Sequence, residues 1–149
     1  MKAAVDTNIL AYAEGVDDPA RGRIARDVLG RVVPAGAVVA VQTLGELFNV
    51  LRRKAKYTPA RARLAVSEWH SVFDVVGTTP DLFTKAVDLA ADHHFDIWDA
   101  IILSVASAAG CRLLLSEDLQ DGFTWGGVTV VNPFADQLHP LLSAALDNS

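Results

Sequence analysis

The strand-like runs of this chain do not alternate. Val38-Val39-Ala40-Val41, Leu113-Leu114-Leu115 and Val128-Thr129-Val130-Val131 are apolar at nearly every position, and strands of that kind are covered on both faces. Helix-start signals separate them. Asp18-Pro19, Thr58-Pro59, Thr79-Pro80 and Asn132-Pro133 each set a capping residue ahead of a proline, which suits the first helical position because its missing N–H would be unbonded there anyway. The apolar stretch from Ala100 to Ala109 reads as a further helix, stopped by Gly110. Strands alternating with helices predict an α/β fold of three layers, a central mostly parallel sheet flanked by helices, with right-handed crossovers.

The 149 residues, 51% of them hydrophobic and 21% charged, predict one domain spanning 1–149 with enough apolar content for a core. The longest uncharged stretch, Val32 to Gly45, is too short for a membrane span and is broken by Pro34 and Gly36. Asp6 and Glu14 are incompatible with a secretory signal, so the expectation is a soluble, cytoplasmic protein without membrane contact. A single cysteine, Cys111, excludes an internal disulfide. His93 and His94 are adjacent rather than four apart, so no zinc spacing is present and any metal is expected on oxygen ligands. Both histidines read as surface or helix-end residues.

Acids stand where the apolar runs end. Lys2-Ala3-Ala4-Val5 leads into Asp6-Thr7-Asn8, and Arg112-Leu113-Leu114-Leu115 leads into Ser116-Glu117-Asp118. Ligands of open parallel sheets bind at the carboxyl ends of strands, and carboxylates gathered there suit hard divalent cations. Each acid also has a plainer reading. Asp6 fits an N-cap for a helix beginning near Asn8. Thr43-Leu44-Gly45-Glu46 fits a capping box, although Glu46 lies off the apolar stripe of Leu44, Leu47, Phe48 and Leu51 and so is not a core position. Asp96 and Asp99 share a helical face, with Asp96 the better N-cap and Asp99 in the first turn. Glu117 and Asp118 fit a polar turn.

The net charge of −5 argues against a general nucleic-acid coat, yet Arg52, Arg53, Lys54, Lys56, Arg61 and Arg63 crowd a stretch that no acid interrupts between Glu46 and Glu68. One reading is the solvated faces of two helices. The other is a phosphate-binding track.

Taken together, these pieces resemble the PIN domain and, within it, the VapC toxin ribonucleases of type II toxin–antitoxin pairs. The likeness rests on Val5-Asp6-Thr7-Asn8-Ile9-Leu10, Thr43-Leu44-Gly45-Glu46-Leu47, Trp98-Asp99-Ala100-Ile101-Ile102 with Gly110-Cys111, Leu115-Ser116-Glu117-Asp118-Leu119 and Val131-Asn132-Pro133-Phe134, in that order over nearly the whole chain. It implies a PIN-like fold with Asp6, Glu46, Asp99 and Asp118 as acidic metal ligands and Thr7 and Ser116 as hydroxyls lining the pocket. Glu117 stands beside the mapped Asp118 and ranks second to it. Asp96 occupies a place where relatives more often carry a small hydroxyl residue, which leaves open whether it adds charge to the pocket.

The resemblance further implies Mg²⁺, for which Mn²⁺ can substitute, an RNA substrate, a homodimer, and an antitoxin whose C-terminal segment covers the site through an arginine. Crowded carboxylates repel unless cations compensate, and metal-activated water then makes a nucleophilic side chain unnecessary. This agrees with the lack of a Ser/His/Asp or Cys/His pattern. Arg52, Arg53, Lys54 and Lys56 are the candidates for drawing in the RNA strand, single-stranded or looped RNA being more readable than an A-form duplex. The expected function is therefore a divalent-metal-dependent endoribonuclease. Two alternatives stay open: a PIN-like domain that binds RNA or protein without cutting, and a metal-dependent phosphatase acting on small phosphate esters.

Overall fold

The computed structural model describes residues 1–148. Six strands form one sheet: β1 (Ala3–Val5), β2 (Ala37–Ala40), β3 (Asp74–Val76), β4 (Leu113–Leu115), β5 (Thr124–Trp125) and β6 (Val128–Val131). Their spatial order is β3-β2-β1-β4-β6-β5, parallel throughout except where β5 pairs antiparallel with β6. Among the described residues seven α-helices connect and cover them: α1 (Thr7–Ala13), α2 (Pro19–Val32), α3 (Val41–Arg53), α4 (Pro59–Val72), α5 (Pro80–His93), α6 (Ile97–Ala108) and α7 (Pro140–Asp147). None is long and apolar enough to cross a membrane among the described residues.

The unbroken apolar strands are explained by two cores, one on each sheet face. Ala3, Val5, Val39, Leu113, Leu115 and Val131 join a core built with α1, α2, α3, α4 and α7, whereas Ala4, Val38, Ala40, Leu114 and Val130 join one built with α5 and α6. Neighbours along each strand thus enter opposite cores. Leu113, Leu114 and Leu115 are each 0% exposed, and full burial of such a side chain stabilises by about 1.5–3 kcal/mol. This fixes the strand end from which the next residues project.

Three proline signals mark real helix starts. Asp18 accepts the N–H groups of Ala20 and Arg21, Thr58 that of Arg61, and Thr79 that of Leu82, each from the cap position. The fourth expectation fails. Asn132-Pro133 opens a turn, in which the Asn132 side chain accepts the Phe134 N–H at 2.9 Å, and the last helix starts instead at Pro140 with the His139 ring as its cap. An Asx-type side-chain bond serves turns as well as helices, so the dipeptide alone does not choose between them. Val41, expected at the end of a strand, opens α3 and is 51% exposed.

Two strands had no expectation. β3 is a short, half-exposed edge strand, with too little apolar surface to announce itself. β5 joins β6 through Gly126-Gly127, both at positive φ (57° and 80°), and that pair between Trp125 and Val128 is a hairpin signal the sequence does carry.

The strand order reverses direction around β1. The chain moves from β1 to β2 and β3 on one side, then returns to place β4 on the other. Such a switch point leaves a crevice at the carboxyl ends of the two strands, where connections diverge to opposite faces. The residues directly following β1 and β4 are Asp6 and Ser116.

Candidate functional site

Asp6 is the innermost acid. Its N–H donates to the Leu115 carbonyl at 3.0 Å, tying the ends of β1 and β4 together. One carboxylate oxygen accepts the Thr7 N–H at 2.7 Å and caps α1, while the other accepts the Ser116 hydroxyl at 2.9 Å. Asp6 thus caps α1 with one oxygen and meets Ser116 with the other. Ser116 in turn accepts the Asp118 N–H at 3.2 Å, which folds the chain after β4 back toward Asp6.

Glu46 reaches the same place from α3. The helix begins at Val41, directly after β2, with no side-chain cap, so Thr43 and Glu46 lie inside it and the capping box does not form. Instead Glu46 accepts the Thr7 hydroxyl and the Gln42 amide, both at 2.8 Å. Asp99 comes from the first turn of α6, whose N-cap is Asp96, accepting the Trp98 N–H at 2.9 Å. Asp118 accepts the Asn8 side-chain amide at 3.0 Å.

These elements enclose a concavity of about 260 Å³ lined by Asp6, Thr7, Asn8, Glu46, Asp99 and Asp118, with Asn49, Val50 and Arg53 completing its wall. Carboxylates from positions 6, 46, 99 and 118 thus share one pocket. Burial, with the charges of neighbouring acids, weakens the acidity of Asp6, Asp99 and Asp118. Burial pushes Asp6 up to about 6, against the pull of the Thr7 N–H and the Ser116 hydroxyl, and the charges of Asp118 and Asp99 add to the rise. Asp99 is also pushed up to about 6, by burial first and then by Asp96, Asp118 and Glu46. Asp118 is raised by burial, Glu117 and Glu46.

An all-oxygen donor set of four carboxylates is the chemistry that hard cations such as Mg²⁺ and Mn²⁺ prefer, and by that measure the pocket fits them. The acids line a wall, however, without closing on one point: among the described residues no three Asp, Glu, His or Cys side chains stand in an arrangement that would hold an ion. Donors of the chain itself engage Asp6, Glu46 and Asp118.

The remaining candidates divide. Asp96 caps α6 outside the pocket lining, and its charge contributes to the rise of Asp99. Glu117 turns away, accepting the Tyr12 hydroxyl and the Arg21 Nε, the latter at 3.1 Å, while Arg21 lies over the rings of Tyr12 and Phe134. Burial, and then Glu117, push the Tyr12 phenol up to about 12. Of the basic candidates, Arg53 lines the pocket. Arg52 donates to the Tyr57 carbonyl at 2.6 Å, Lys54 pairs with Asp17 at 3.7 Å, and Lys56 is exposed in the α3–α4 connection. His93 ends α5 and His94 caps it, as helix-end residues.

Asn8 and Asn49 line the pocket and Gln42 bonds Glu46 at its edge, none of them singled out from the sequence. A signal existed for two of them. Gln42 and Asn49 lie four residues before and three after Glu46, the spacing that shares a helical face.

Comparison with known proteins identifies the family and the fold. The PIN domain family model matches residues 3–121, and the chain belongs to the PIN domain family. Its fold is similar to that of VapC20 from Mycobacterium tuberculosis, a toxin described as cleaving the sarcin–ricin loop, with 23% identity, a TM-score of 0.62, and 75% of this chain and 86% of that one covered. A toxin–antitoxin complex from Klebsiella pneumoniae is similar at 24% identity and a TM-score of 0.66, over 89% of this chain and 98% of that one. VapBC2 from Rickettsia felis, bound to a DNA fragment from its promoter, shows the same TM-score and coverage at 14% identity. No curated protein sequence matches.

Proposed function

We propose that this protein is a divalent-metal-dependent endoribonuclease that hydrolyses RNA phosphodiester bonds, and that it is the toxin of a toxin–antitoxin pair. One observation carries the reading: Asp6, Glu46, Asp99 and Asp118, supplied by four separate elements, line a single pocket with Arg53 at its wall. Bringing four acids together gains nothing for the apolar core. Mutual repulsion opposes it, and sites that tolerate such repulsion are commonly functional.

Asp6, Glu46, Asp99 and Asp118 would hold the cation. When bound, Mg²⁺ or Mn²⁺ supplies positive charge and acidifies water for attack on phosphorus. The chain's own residues prepare the pocket. Thr7 and Gln42 orient the two oxygens of Glu46, Ser116 and the Thr7 N–H hold Asp6, and Asn8 holds Asp118. The guanidinium of Arg53 can meet a phosphate in a forked contact. The toxin–antitoxin likeness of the similar structures supports a protein partner, and an arginine from an antitoxin segment would suit this pocket by replacing cation charge with paired contacts. A homodimer is the proposed working unit.

Purified protein with Mn²⁺ and total cellular RNA is expected to yield discrete fragments that vanish with EDTA and with Asp6→Asn. Unchanged cutting by that variant would exclude the site. A second reading, a PIN domain that binds RNA or protein without hydrolysis, draws on the carboxylates' engagement by their own chain instead of closure on one point. Calorimetry separates the two: RNA binding without any Mn²⁺ binding would favour the second.

A further inference from the structure

Beside the acid pocket lies a second concavity, of about 410 Å³, lined by Gln42, Gly45, Glu46, Asn49 and Trp98. The two share Glu46 and Asn49. Trp98 forms one side, 55% exposed in the first turn of α6, its backbone N–H held by Asp96. An indole can bury 150–250 Å² of surface, and leaving one in water forgoes that stabilisation. Among the described residues no other ring and no cation packs on it.

The opposite side is one face of α3. Gln42, Gly45, Glu46 and Asn49 follow the spacing that aligns side chains along a helix. Gly45 is exposed, and a Cβ placed there would meet nothing within 4 Å. Packing within the chain therefore gives no reason for a glycine in mid-helix, where it is unfavourable relative to alanine. What the glycine provides is a bare floor beside the indole. An amphipathic protein helix would need a row of apolar contacts, whereas this lining offers a single aromatic ring among amides and one carboxylate.

We propose that this groove is a nucleobase subsite. It rests on the RNA reading of the adjoining pocket: with a phosphate at the acids, a neighbouring base of a single strand stacks on Trp98 over the Gly45 floor. The Asn49 amide, and the carbonyl oxygen of Gln42 whose nitrogen donates to Glu46 at 2.8 Å, can present donors and acceptors to its edge. Every base has a face that stacks on an aromatic ring, so Trp98 supplies affinity and the two amides supply preference.

The test uses the Asp6→Asn chain to suppress cutting, with a ten-nucleotide single-stranded RNA and versions carrying one abasic position at each site in turn. Binding is read by anisotropy and by tryptophan quenching. Adding Trp98→Ala is expected to weaken binding roughly 5- to 150-fold, to abolish most of the quenching and to remove the penalty of the one sensitive abasic position, while Trp98→Phe restores most of the affinity. Gly45→Leu, a good helix former on an open face, is expected to leave the melting temperature unchanged or higher and to weaken RNA binding. Equal affinity and quenching with and without Trp98 would overturn the subsite, as would an RNA that binds neither form. Cutting by the natural chain that is indifferent to Trp98 would sink the groove alone. RNA bound through Trp98 but never cut would leave the groove standing and sink the nuclease.

Discussion

At Glu14 a single carboxylate meets two neutral donors, the Trp69 indole N–H at 2.7 Å and the Tyr57 hydroxyl at 3.1 Å. In the pocket the donors of Thr7, Asn8, Gln42 and Ser116 reach three of the four carboxylates, Asp6, Glu46 and Asp118, and burial first, then neighbouring acids, pushes Asp6 and Asp99 both up to about 6. The first arrangement ties α1 to α4 and its connection, with acceptors matched to donors. The second leaves negative charge in excess. A carboxylate that serves the fold is paired by the chain, whereas a cluster that the chain only partly compensates is suited to a cationic ligand.

The sharpest way to break this contrast is activity. Asp6→Asn is expected to lower RNA cleavage in Mn²⁺ by roughly a hundredfold or more, the scale on which metal-site and electrostatic groups act, while Glu14→Ala leaves cleavage within a few-fold of the natural rate. Both are read from initial rates on one RNA substrate. Comparable losses would mean that the pocket is not special.

Stability should run the opposite way. Glu14→Ala is expected to lower unfolding free energy by about 1–3 kcal/mol, the effect of leaving two donors unpaired, measured by urea denaturation. Asp6→Asn in EDTA at pH 7 should instead raise it by up to about 3 kcal/mol, because a buried carboxylate whose acidity is weakened from 3.8 to about 6 destabilises the fold once ionised.

The pH dependence sharpens the same point. A folded-state value above the unfolded one means that the group's favourable contribution is complete below about pH 3.8 and is lost as pH rises through about 6. The melting-temperature gap between metal-free natural protein and Asp6→Asn should therefore be small near pH 4 and widen up to about pH 7. Saturating Mn²⁺ should close it for the natural chain only. A gap independent of pH would show that charge at Asp6 is not its cause.

The smallest effect concerns the basic stretch. Arg53 lines the pocket and Lys54 pairs with Asp17, so Arg53→Ala should reduce the salt dependence of RNA binding by about one phosphate contact. Lys54→Ala should change it little. Affinities measured across a salt series decide this, and equal slopes would extend the track along the whole stretch.

The apolar runs specified the layered fold because a strand without alternation can be stable only between two helical layers, and capping chemistry marked three proline-led helix starts from local bonds alone. Asp6, Asp99 and Asp118 were legible as acids at strand ends and helix starts. Glu46 was legible only in part, since Thr43-Leu44-Gly45-Glu46 suits a capping box and nothing local says that α3 begins three residues earlier, at Val41. Likewise Asn132-Pro133 has the local chemistry of both a turn and a cap.

What the amino-acid order determined by itself was the set of acids and the elements that carry them, because propensity, capping and periodicity act over a few residues. Tertiary structure alone decided which acids meet. The return of β4 beside β1 opens the crevice, the pairing of Ser116 with Asp6 draws Asp118 inward, and the Arg21–Tyr12 contact turns Glu117 outward although it is the next residue in sequence. Side-chain direction at such positions follows from partners a hundred residues away, which no short-range rule can contain.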